Sequence, residues 1–64
     1  MAYIYEVRGP ETFAHVTSLR AAKTMAAKLA REGNTVDVVR YVAGQNNEPK
    51  TNIGRVHTSF PRPA

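Results

Sequence analysis

Residues 17–33 read TSLRAAKTMAAKLAREG, and the reading of this stretch decides the fold. Leu19, Ala22, Ala26 and Leu29 fall at i, i+3, i+7 and i+10, with Met25 and Ala30 beside them, which is the spacing of one helix face. The alanines at 21, 22, 26, 27 and 30 add helix propensity, because they lose no side-chain entropy on ordering. The expected helix runs from about Ser18 to Glu32. Thr17 is the expected N-cap, its hydroxyl accepting from an orphan amide of the first turn, with Val16 packed on Ala21 as a staple. Gly33, followed by Asn34, supplies the left-handed residue that ends the helix. The apolar stripe is narrow and built largely of small side chains, which suits a helix lying close to a sheet.

Outward from the helix, both flanks read as strand pairs. AYIYEVR (2–8) is rich in Tyr, Ile and Val and partly alternates, a strand pattern. Gly9-Pro10-Glu11 is a turn signal, and TFAHV (12–16) completes a hairpin. On the other side, TVDVVRYVA (35–43) has the β-branched density of a strand inside a sheet. GQNNEPKTN (44–52) reads as a long mobile hairpin loop. NIGRVHTSF (52–60) is the last strand, with Gly54 marking a bulge. The order strand, strand, helix, strand, strand predicts an α+β fold, one helix packed on a small antiparallel sheet of three or four strands. It fills a single small domain over 1–60, and PRPA (61–64) is a flexible Pro-rich tail. One sheet face is then left open, and it needs either a partner or a polar surface.

A chain of 64 residues makes one small domain at most and buries only about 60% of its unfolded surface. Without cysteine, neither a disulfide nor a thiolate metal site can staple it. Two histidines and five scattered acids give no metal cluster. Good packing or self-association remains, and a homodimer is expected. No run approaches the roughly 18 apolar residues of a membrane span, and no basic segment followed by an apolar one opens the chain. A cytoplasmic location is expected.

Nine Lys and Arg against five Asp and Glu give a net charge of +4, which favours anionic partners. On a helical projection Arg20, Lys23, Thr24, Ala27, Lys28 and Arg31 form one arc opposite the apolar stripe. Cations with small residues between them suit a helix that tracks phosphates; the plainer reading is a solvated face that keeps the protein soluble. Arg20 opposes the helix dipole in the first turn, so helix stability does not explain it.

Tyr3 and Tyr5 share one strand face, opposite Ile4. If Ile4 meets the helix, both rings lie on the open sheet face. There they form, with Tyr41, Arg55 and His57, a stacking platform for single-stranded nucleic acid, or a dimer interface. If Tyr3, Tyr5 and Val7 meet the helix instead, the rings are core. His15 and His57 have no nucleophile elbow, paired carboxylates or phosphate loop beside them, so no catalytic role and no cofactor are expected. Gln45, Asn46, Asn47 and Lys50 are hydrogen-bonding groups on a protruding loop, more simply read as a solvated connector.

The run VRGPETFAHVTSLRAAK (7–23), then the alanine-rich helix ending in REGN (31–34) and a valine-rich strand, resembles small orphan accessory proteins of bacteriophages, especially actinobacterial ones. The resemblance implies an accessory or host-takeover protein that acts by binding, and it brings no site residues with it.

Two functions follow as expectations. The first is a small basic nucleic-acid-binding module using Arg20, Lys23, Lys28 and Arg31, with Arg55 nearby. The alternative is a non-enzymatic interaction protein that binds a host protein by its open sheet face or edge. Tyr3, Tyr5, Tyr41 and Ile53 are the expected interface residues.

Overall fold

The structure, a computed structural model, describes residues 2–62; positions 1, 63 and 64, and with the last two half of the expected tail, lie outside the described residues. Strand β1 (Tyr3–Arg8) and strand β2 (Phe13–Val16) form the first hairpin, helix α1 (Leu19–Arg31) follows, and strands β3 (Val36–Ala43) and β4 (Pro49–Ser59) form the second hairpin. The four strands make one antiparallel sheet in the order β2-β1-β3-β4. This is the expected α+β arrangement. Strands β1 and β3, which carry all the fully buried strand residues, sit in the middle of the sheet.

The helix ends are set by local hydrogen bonds. Ser18, not Thr17, is the N-cap: its backbone is extended and its Oγ accepts from the Ala21 amide at 3.1 Å. Either hydroxyl has the right chemistry. The choice falls to Ser18 because Val16 still pairs with Tyr5 in the sheet, which leaves Thr17 as the connector. Val16 packs into the core rather than stapling exposed Ala21. At the other end Gly33 adopts a φ of 99°. Its amide donates to the Ala30 carbonyl at 3.0 Å, and the Asn34 amide donates to Leu29 at 3.2 Å, the paired bonds of a Schellman end.

Alternation along β1 places Tyr3, Tyr5 and Val7 under the helix. Tyr5, Val7, Ala22, Ala26, Val36 and Val38 are the buried centre, and Tyr3, Val16, Leu19, Met25, Leu29 and Val56 pack around them. The helix contributes alanines at 22, 26 and 30 to the buried face, so its backbone lies close to the sheet. The tyrosines at 3 and 5 are therefore core residues, and the expectation that they line an open-face interface is corrected. Glu6 and Arg8 share the parity of Ile4, and two charged side chains cannot be placed between helix and sheet as cheaply as two rings.

The segment 44–52 is also corrected. A 3-10 turn at Gln45–Asn47 reverses the chain, and β4 already begins at Pro49. Asn46 and Asn47 take φ values of 56° and 57°, a region that asparagine tolerates better than most residues. The first five residues of β4 are exposed, so no alternation marks them as strand. The bulge does occur beside Gly54. Arg40 pairs with Gly54 while Tyr41 pairs with Asn52, so Ile53 has no partner, and Gly54 has a φ of 125°. Two further register shifts lie along the same pair of strands. The long hairpin stretches the molecule to 42 × 18 × 16 Å.

Candidate functional site

The cations divide into two sets. The arginines of the sheet are engaged, while Lys50 on β4 is exposed and, among the described residues, forms no ion pair. Arg8 bonds Glu6, and Arg55 pairs with Asp37 at 3.4 Å. The Arg40 guanidinium lies 4.9 Å from the Tyr3 ring centre and 5.4 Å from that of Tyr5. Those of the helix, Arg20, Lys23, Lys28 and Arg31, are all exposed, and among the described residues none forms an ion pair. The first turn contains no acid, while Lys28 and Arg31 complement the dipole at the last turn. The arc read from the sequence thus exists as one continuous outer face. Arg55 does not join it: Asp37 and its partner lie on the opposite face of the sheet.

Between α1 and the end of β4 the arc borders a cleft of about 370 Å³, lined by Ala27, Ala30, Arg31, Ser59, Phe60 and Arg62. Small side chains at 27 and 30 leave the space. Arg31 belongs to both arc and cleft. Phe60 is 70% exposed and lines the cleft together with Arg31 and Arg62.

The open sheet face carries a polar cluster built on Glu6, which is only 3% exposed. Cross-strand pairing sets Glu6 opposite His15 on one side and Val39 on the other. His15 Nε2 lies 3.0 Å from Glu6 Oε1, so the ring nitrogen donates and the carboxylate accepts. Arg8 Nε and Tyr41 Oη both donate to Oε2, the latter at 3.2 Å, and Arg8 Nη2 in turn donates to the Tyr41 oxygen. Burial works to raise the Glu6 carboxyl, but the bonds from His15, Arg8 and Tyr41 together with the Arg8 charge outweigh it and hold it below its ordinary value. The bond to Glu6 correspondingly raises Arg8. Phe13 meets His15 edge to face at 5.5 Å. With three donors on its two oxygens, the carboxylate serves to hold its neighbours in place.

Of the expected interface set, Tyr41 lies on this face bonded to Glu6, and Ile53 is exposed on edge strand β4. His57 bonds Ser59 at 3.0 Å. Two features escaped the sequence reading. The Glu6–His15 pair follows from counting back from a four-residue turn at 9–12, which sets Arg8 against Phe13. The Phe60 and Arg62 side of the cleft has no signal in sequence, because it depends on where the strand end meets the helix.

An antiparallel sheet with one covering helix, a cationic outer helix face and an opposite sheet face that mixes buried Ile4 and Val39 with the Glu6 cluster defines the class as a small α+β protein. Compared with protein families, with curated proteins and with solved structures, the chain gives no match. Among the described residues no helix is long and apolar enough to cross a membrane.

Proposed function

We propose that the protein is a small nucleic-acid-binding module that contacts phosphates through the outer face of α1 and acts by binding, without catalysis. The observation that carries this reading is the division of the cations. The sheet arginines are held by carboxylates or rings, whereas Arg20, Lys23, Lys28 and Arg31 stand exposed with no internal partner among the described residues. Side chains in that state give up little on meeting a phosphate, and each contact releases condensed counterions. Thr24 and Ala27 between them let the helix approach the backbone of the nucleic acid. The rival, a host-protein partner on the open sheet face, loses Tyr3 and Tyr5 from its surface, since both lie under the helix.

The test replaces the four cations by Gln, which leaves helix propensity nearly intact. Binding to a short duplex and to a single strand is measured over a salt series. The expected outcome is weaker binding, with the slope of log affinity against log salt reduced by roughly 0.9 per lost contact on duplex or 0.7 on single strand. Wild-type protein that binds neither form at about 50 mM salt would return the arc to a solubility role.

A further inference from the structure

Arg31 places the cleft between α1 and β4 at the end of the cationic arc, so a strand following the arc runs into it. The cleft, of about 370 Å³, brings together two arginines, Arg31 and Arg62, and an aromatic residue, Phe60, with Ser59, whose hydroxyl is bonded to His57, at its wall. That volume falls within the range of small-molecule sites and is sized for one nucleotide unit. Phe60 is among the most exposed large apolar residues described, and its neighbours in the cleft include two cations. Aromatic rings beside cations are the elements by which proteins hold single strands, stacking a base and neutralising its phosphates. A duplex keeps its base faces stacked and offers the ring nothing.

We infer that this cleft is the base seat of a single-stranded nucleic acid, with one base stacked on Phe60 and the adjoining phosphates on Arg31 and Arg62. The inference rests on the proposed nucleic-acid function and assigns it a strand state. Charge complementarity selects the occupant: among the described residues the cleft lining contains two arginines and no acid.

The chain contains no tryptophan, so Phe60→Trp creates a sole indole reporter. An oligothymidylate of about 12 nucleotides, within the range of single-strand site sizes, is titrated into this variant, the wild type and Phe60→Ala. A duplex of equal length and the matching oligouridylate are run in parallel, and quenching by either single strand supports the seat. The expected results are quenching of the Trp emission by single strand but not by duplex, and single-strand affinity lowered roughly five- to a hundredfold in Phe60→Ala with duplex affinity unchanged. Arg62→Gln is expected to reduce the single-strand salt slope by about 0.7. Circular dichroism checks that each variant is folded. Full single-strand affinity in folded Phe60→Ala, or unchanged Trp emission at saturation, overturns the seat while leaving the helix arc as the binding face. Failure of wild-type protein to bind either form removes both.

Discussion

Glu6 is a charged residue on the uncovered side of a sheet, yet it is nearly inaccessible, because its own neighbours fold over it. Arg8, His15 and Tyr41 each spend a donor on the carboxylate. Such charge-assisted bonds contribute about 1.5–3 kcal/mol each where they are shielded, and less where the donor is half exposed, as Arg8 and His15 are. Glu6→Gln preserves shape and removes the charge, so a loss of about 1–3 kcal/mol at pH 7 is expected in urea denaturation. The pH dependence has a definite sign. The folded carboxyl is held below its ordinary value, so the folded state binds fewer protons than the unfolded one through the acid range. The contribution is fully present above the unfolded pKa of about 4.3 and is lost as pH falls through the folded value. The gap between wild type and Glu6→Gln should therefore close in acid. A gap of constant size from neutral pH down to about pH 3 would contradict this account.

At the scale of elements, the helix and strand β4 differ in how openly the sequence declares them. The helix has its whole grammar in one window: a hydroxyl cap, an alanine-rich stripe and a terminal glycine. Its observed bounds, Leu19–Arg31, lie within a residue of those expected. Strand β4 hides its first half, because an exposed edge segment buries no face and needs no alternation. Packing of the helix makes a sharp prediction. Ala26 is fully buried against the sheet, so Ala26→Leu overfills the interface and should cost about 1–3 kcal/mol by thermal or urea unfolding. A neutral Leu at 26 would mean that the helix sits farther from the sheet than the structure places it. Leu19 and Leu29 are only half-buried, so the alanines, and not the larger residues, set the helix-to-sheet distance.

For the whole molecule, the question is what so small a core leaves uncovered. Among the described residues the exposed large apolar side chains are Phe13, Ile53 and Phe60, on an edge strand, on the other edge strand and just past its end. Self-association is expected to use Ile53, since Tyr3 and Tyr5 are enclosed. The melting midpoint should then rise with protein concentration, and Ile53→Asp should abolish that rise. A midpoint constant over roughly a hundredfold dilution would show a chain that is stable alone. The bulges, Pro49 and Lys50 on β4 act against open-ended edge pairing, which favours a closed pair over a fibre.

Local rules by themselves determined the class of fold, the number and order of elements and the cationic arc, because periodicity, caps and turn residues act within a few positions of one another. Gly33 at positive φ and the bulge beside Gly54 belong to the same local level. Only the tertiary structure decided which face of β1 meets the helix, since AYIYEVR offers apolar residues at both parities. The answer turned on where Glu6 and Arg8 are best accommodated, and that depends on His15 and Tyr41 from two other strands. Likewise Arg55 lies with Asp37 across the sheet from the arc, and Phe60 and Arg62 meet Arg31 in a cleft. Distances between residues remote in sequence are set by strand register and twist, and no short window of the chain contains them.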